Sequence, residues 1–313
     1  MKNFWKLSPI LKGSLTWVPP LNELRIQRAG TGGSTSPRYC YSVWLRHLVS
    51  LSKFDFKIKG SCIGELGPGD SIGTGLAGLL SGAIQYVGLD IFPFSKKADL
   101  NRIFDDLVGL YNQRESIPDQ NEFPGVLPPL DSYHFPDQLI DWTSFKEKVE
   151  VIGNELKKDE LGGQYVMYQA PWMSSRVIRE SSLDLIISQA VFEHIDPLRE
   201  TYKAMFLWLK PGGYASNVID FGSHGLSPFW NGHFAYSDWE WKLVKGKREF
   251  LLNRQPLSVH LAYAKEVGFE VVHVEKYYDE SGLKSNDLAP RFQNISSEDS
   301  KTRSALVVLR KFS

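Results

Sequence analysis

The sequence predicts an α/β fold, a doubly wound seven-stranded sheet with helices on both faces. Three observations carry this. Strand-like apolar runs alternate with helical patterns from residue 61 onward, as layered α/β domains require. A glycine-rich turn at 65–71 (ELGPGDS) stands where the first strand hands over to a helix. Residues 182–188 (SLDLIIS) form an apolar run, as expected of a strand buried on both faces.

Taken in order, residues 1–37 read as irregular, and 30–37 as a loop rich in Gly, Pro and Ser. A helix follows, because Tyr39, Val43, Leu45, Leu48 and Leu51 recur at helical spacing. Strand one is 61–66, a small-residue helix covers 72–80, and strand two, 84–91, ends on an acid. Residues 92–160 far exceed the dozen or so that a parallel crossover needs. We read them as an insertion with helices near 101–112 and 143–157 around a proline-rich loop, covering the sheet or shaping a pocket. Strands three and four lie at 164–168 and 182–188. Pro197 opens a helix to 209, KPGG at 210–213 stops it, and strand five is 214–219. Residues 220–256 read as irregular and aromatic. A helix over 257–267 ends at Gly268, and strands at 270–275 and 305–309 close the chain. The division is a 1–60 extension with a cap helix, then a 61–313 domain carrying the insertion and a 220–256 lid.

Composition narrows the partners. The 36 basic and 36 acidic residues cancel, so no nucleic acid or anionic lipid partner is expected. With only two cysteines, Cys40 and Cys62, a disulfide framework is not expected and a reducing cytoplasm fits. No apolar stretch reaches the length of a membrane span. Pro9, Gly13, Pro19 and Pro20 interrupt the N-terminus, so no signal peptide is read there. Trp5 and Trp17 are expected to pack on the body of the protein.

The glycines of the 65–71 turn let the backbone bend tightly and approach a ligand, with helix amides facing it. Dinucleotides and S-adenosylmethionine both use such a loop. The dinucleotide pattern needs a glycine at 72, where Ile72 stands. Asp90, 21 residues after Gly69, is placed to accept both ribose hydroxyls. Glu65 would repel a pyrophosphate but favour a sulfonium and an ammonium.

The segments 65–71, Asp90, 182–195 (SLDLIISQAVFEHI) and 209–213 (LKPGG) occur in the order and spacing of class I S-adenosylmethionine-dependent methyltransferases, which the chain resembles over 61–220 and its last strands. ELGPGDSIGTGLAGLL and NVIDFGSHG also resemble bacterial methyltransferases of surface-polysaccharide and small-molecule type. The resemblance implies a Rossmann-like sheet with an antiparallel C-terminal hairpin. It further implies S-adenosylmethionine as cofactor. Glu65, Gly67, Pro68 and Gly69 would surround its methionine part, Asp90 its ribose, and Ala170, Pro171 and Trp172 its adenine. The acid common at that last position is absent. Ser188 and Gln189 would line the methionine and acceptor side, and Tyr39 or Tyr41 would cap the cofactor unless helix packing claims them.

Methyl transfer to a hydroxyl needs alignment and a base. His224 with Asp220 four residues earlier, His233, and His194 in FEHI are the candidates. Local structural roles are the alternative for each. The other histidines, at 47, 134, 260 and 273, fall outside this zone. Phe221, Phe229, Trp230, Phe234, Tyr236, Trp239 and Trp241 suit a lid or acceptor wall; the alternative is a satellite apolar cluster or a homodimer contact. No metal is predicted, although Asp220, His224 and His233 stand near one another in sequence and leave one open. The expected activity is methyl transfer to a hydroxyl of a glycan or small molecule. A catalytically silent cofactor-binding scaffold is the first alternative. A nicotinamide oxidoreductase is the second, disfavoured by Glu65 and by the lack of a Tyr-x-x-x-Lys pair.

Overall fold

A computed structural model describes residues 4–20, 33–158, 161–172, 174–248 and 250–312. Of the loop expected over 30–37, only the part from 33 onward is covered. Seven strands form one sheet: β1 (Cys62–Leu66), β2 (Gln85–Leu89), β3 (Val166–Gln169), β4 (Leu183–Gln189), β5 (Leu209–Asp220), β6 (Glu270–Tyr278) and β7 (Thr302–Arg310). Their order is β3-β2-β1-β4-β5-β7-β6. Strands β1 to β5 run parallel, and β7 inserts antiparallel between β5 and β6.

The helices are α1 (Leu7–Ser14), α2 (Pro37–Ser52), α3 (Gly73–Ser81), α4 (Leu100–Gln113), α5 (Phe145–Leu156), α6 (Leu198–Trp208), α7 (Asp238–Lys245) and α8 (Leu257–Glu266). Alternation along the strands splits the core in two. Ile63, Tyr86, Leu185 and Ile187 enter the layer under α2 to α5. Leu66, Leu89 and Ile186 enter the layer under α6 and α8. Both faces are therefore covered, as the apolar strands demanded. The long β2–β3 crossover supplies α4 and α5 to the first layer, and its proline-rich loop caps α2. There the buried Arg46 guanidinium donates to the carbonyls of Pro118, Val126 and Pro128 at 2.7–3.0 Å.

Three expectations change. Residues 7–14 are helical, not irregular. Pro9 lies in the first turn of α1, where its missing N–H has no intrahelical partner to lose. Gly13 presses against the Leu243 and Val244 carbonyls so closely that a Cβ would overlap them. Within 220–256, α7 is a regular helix opened by a capping box between Ser237 and Glu240. KPGG does not separate helix from strand: it is part of β5, with an irregular register opposite Leu183 and Leu185.

Helix α3 needs its small residues. A Cβ on Gly75 would overlap the Tyr86 ring, and one on Gly73 would sit 2.6 Å from Cys40 Sγ. Gly75→Ala is expected to lower stability by about 2 kcal/mol, the overpacking cost exceeding the gain in helix propensity. Thermal melts check this; an unchanged or raised Tm would show that Tyr86 moves aside freely.

Candidate functional site

Strand β1 delivers Glu65 and Leu66 to the loop at the carboxyl edge of the sheet. Gly67 and Gly69 then take φ of +65° and +72°, a region open to glycine at little cost. The loop is tied on both sides. Gly67 N–H donates to the Leu89 carbonyl at 2.8 Å, and Gly69 N–H to Asp90 Oδ2 at 3.1 Å. Asp90 Oδ1 accepts from Ile91 N–H at 2.7 Å. Ser34 seats on the loop from the N-terminal side, its Oγ accepting from Ser71 N–H at 3.1 Å. The result is a backbone cradle with two carboxylates at its ends.

Both carboxylates are held above their ordinary range. Burial raises Glu65 to about 7, against the lowering effect of a 2.8 Å hydrogen bond from Tyr86 Oη. Burial raises Asp90 to about 6, against backbone N–H donors including Ile91 and Gly69. Among the described residues, no ion pair forms at Glu65. A buried carboxylate without a cation at a cradle's edge fits a positively charged ligand group there. Its pH signature follows from linkage. Glu65 binds its proton more tightly folded than unfolded, so its favourable contribution is present below about 4.5 and is lost as pH rises through about 7. Wild type is therefore expected to lose Tm between pH 5 and pH 8 relative to Glu65→Gln. Parallel pH profiles would contradict the buried carboxylate.

The turn after β3 joins this site: Trp172 N–H donates to the Asp90 carbonyl at 3.0 Å, which brings Ala170 and Pro171 alongside Asp90. At the end of β4, Ser188 Oγ donates to Asn217 Oδ1 at 3.0 Å. The Gln189 side chain lies between His47 Nε2, at 3.2 Å, and the Leu127 carbonyl of the insertion, at 3.4 Å. His47 thus belongs to the site's support, contrary to expectation. It is fully buried and pushed down to about 4 by burial, so it holds Gln189 as a neutral ring. Tyr41 is also corrected. It is fully buried, donates to the Glu115 carbonyl at 2.6 Å and packs on Tyr111, so it has no face for a cofactor. Burial first, then Cys40 and the Glu65 charge, push the Tyr39 hydroxyl up to about 12.

A second group adjoins the loop through Val191, whose Cγ2 would lie 2.7 Å from a Cβ on Gly67. The 3-10 turn Phe192–His194 follows. Asn253 braces it, donating from its side chain to the Phe192 and Ile195 carbonyls at 2.7 and 2.8 Å. The His194 and His224 rings meet edge to face at 5.1 Å. His224 Nε2 lies 3.3 Å from Asp220 Oδ2 and 4.0 Å from Glu193 Oε1. Burial works against charge on Asp220, but bonds from His224 and Gly222 hold it below its ordinary value. Burial lowers His194 to about 4. Glu193, 3% exposed, is pushed well above the carboxylate range by burial. Sequence reading passed over Glu193 as the neighbour of His194. Its burial depends on residues near 220 and 253, which no local pattern reveals.

His224 and Asp220 line a cleft of about 540 Å³ together with Ser227, Phe229, Trp230 and Arg303. His233 does not line it. It is buried and pushed down to about 3, first by burial and then by Arg254, so it is not the base that sequence reading allowed. The aromatic wall is likewise narrower than expected. Tyr236 and Trp241 belong to a satellite core with Trp5, and Phe234 to another with Phe292. Trp17 and Trp239 are exposed. Only Phe229 and Trp230 of the segment's aromatics line the cleft. A second cleft, of about 610 Å³, opens at the opposite end of the strands between Lys59, Gln85 and Gln164, away from the loop.

A parallel sheet of this order, with its one antiparallel strand between β5 and the edge, decides the architecture. The fold is that of the class I methyltransferases. No family model matches the chain and no curated protein does. Among solved structures, it is similar to Haemonchus contortus phosphoethanolamine N-methyltransferase 2 in complex with S-adenosyl-L-methionine. The identity is 15% and the TM-score 0.44, over 86% of this chain and 53% of that one, so the chain spans about half of the nematode enzyme. A Mesorhizobium loti S-adenosylmethionine-dependent methyltransferase gives 12% identity and a TM-score of 0.43, covering 84% of this chain and 96% of that one. A Methanosarcina mazei methyltransferase gives 14% and 0.42, covering 83% and 97%. All three are distant; the strand order and polarity carry the fold assignment. No helix among the described residues is long and apolar enough to cross a membrane.

Proposed function

We propose that the chain is an S-adenosylmethionine-dependent methyltransferase acting on a hydroxyl of a glycan or small molecule. The observation that carries the reading is the cradle. Two positive-φ glycines lie between Asp90 and a buried Glu65 that pairs with no cation among the described residues, at the carboxyl edge of the sheet, where open α/β sheets take their ligands. Glu65 would face the positive groups of the methionine part and Asp90 would accept from the ribose. Ala170 and Pro171 would flank the adenine, and Ser188 and Gln189 would bound the methyl side. When bound, the donor supplies an electrophilic methyl on a sulfonium. The protein's work is then alignment, exclusion of water and removal of one proton.

The His224–Asp220 pair is suited to the last task. His224 stands open at the cleft mouth with a carboxylate 3.3 Å from its Nε2, the base-and-partner arrangement that activates a hydroxyl. The cleft's Ser227, Arg303 and two aromatic rings favour a polar, ring-bearing acceptor. A transfer assay with methyl-labelled S-adenosylmethionine tests this against hydroxyl-bearing sugars, phenols and amines. Label entering a hydroxyl compound is expected. Label entering amines alone would shift the reaction class, and none entering any acceptor would favour a silent binding protein.

A further inference from the structure

We propose that Glu193, His194 and His224 bind a divalent transition-metal cation beside the acceptor cleft, with Asp220 at the site's edge. One ligand atom from each of the three residues lies within 4.8 Å of the others. Ligands around a cation at about 2.1 Å stand roughly 3–4 Å apart. His224 Nε2 already lies 3.3 Å from Asp220 Oδ2 and 4.0 Å from Glu193 Oε1, so small side-chain shifts complete the set.

A second observation is independent of that spacing. The Glu193 carboxylate is buried, and among the described residues neither of its oxygens has a hydrogen-bond partner within 3.5 Å; the same holds for His194 Nδ1. Buried carboxylates without partners are rare because their desolvation is uncompensated, and metal coordination is one of the arrangements that compensates it. The brace from Asn253 keeps both groups in place without touching those atoms. Two imidazoles and a carboxylate suit manganese, iron, cobalt or zinc ions better than magnesium or calcium, which prefer all-oxygen sites.

The use of such an ion in methyl transfer rests on the function proposed above; its binding does not. His224 and Asp220 line the cleft, so the cation's remaining positions face an acceptor there. A hydroxyl bound to it becomes more acidic. With His224 bound to the cation, Asp220 takes the proton that the His224 ring would accept in the metal-free reading, and the O–CH3 bond forms as the S–CH3 bond breaks. The bonding pair stays on sulfur, leaving a neutral thioether.

The test uses the full chain, free of affinity tags and stripped with chelator. It is titrated with Co²⁺ by calorimetry and visible absorption, and S-adenosylhomocysteine binding is measured on the same sample. One Co²⁺ per chain is expected, with d–d bands of an imidazole-bound ion. Glu193→Gln and the surface variant His224→Asn should each weaken it more than about 100-fold, beyond the effect of losing an outer-shell partner. Their S-adenosylhomocysteine binding should persist, which reports that they fold. No stoichiometric Co²⁺, Mn²⁺ or Zn²⁺ binding by wild type overturns the proposal, as does equal binding by both variants. Cobalt binding without S-adenosylhomocysteine binding would leave this site standing and remove the donor reading instead.

Discussion

Asp90→Ala is expected to weaken S-adenosylhomocysteine binding by about 100- to 1,000-fold, the loss of two charge-assisted hydrogen bonds in a buried site. The structure explains why one side chain matters so much. Asp90 is 7% exposed, and its two oxygens already accept from Gly69 and Ile91 N–H groups. It both shapes the glycine loop and retains lone pairs for a ribose. Alanine removes both functions, while Asp90→Asn keeps one acceptor and should fall between. Calorimetry on the three proteins measures this. A change below about threefold in Asp90→Ala would mean that the ribose lies elsewhere.

Asp220→Asn is expected to lower the rate of methyl transfer by about 10²- to 10⁴-fold, the range for losing general-base function, with S-adenosylhomocysteine affinity unchanged. Asparagine keeps the size of the side chain and can still accept from Gly222 N–H, which lies 2.7 Å from Asp220 Oδ1. It removes the charge that faces His224. His224→Ala should cost a similar factor, and the double variant little more than either, because the two residues act as one unit. Rates within twofold of wild type in both would take the proton-accepting role from this pair. A fall in cofactor affinity instead would assign them to the donor site.

The fold was readable because its signals are local and repeated. Strand alternation and the glycine turn are each visible within a few residues, and both faces of the sheet demanded apolar runs such as 182–188, whereas KPGG, read as a boundary, lies inside β5. Helix α1 was missed because Pro9 and Gly13 look like breakers. In the structure Pro9 falls in the first turn, and Gly13 serves a contact with α7, a distant partner. The glycine loop and the placing of Asp90 beside it were readable for the same local reason. The histidine group was only half readable. His224 and Asp220 are four residues apart, but Glu193 and His47 reach their places through β-strand neighbours and a brace at Asn253. Aromatic density at 221–241 could not say which rings face a cleft. Packing with Trp5 and Phe292 claims Phe234, Tyr236 and Trp241, the sheet core takes Phe221, Trp239 lies exposed, and only Phe229 and Trp230 line the cleft.

The most direct measurement is a calorimetric titration of the purified chain with S-adenosylhomocysteine at pH 8, where Glu65 is ionised, with NADH as the comparison. One site of micromolar affinity for the thioether and no binding of NADH is the expected result. Absence of binding at millimolar S-adenosylhomocysteine, or preference for NADH, would contradict the assignment of the 65–71 loop to a methyl donor.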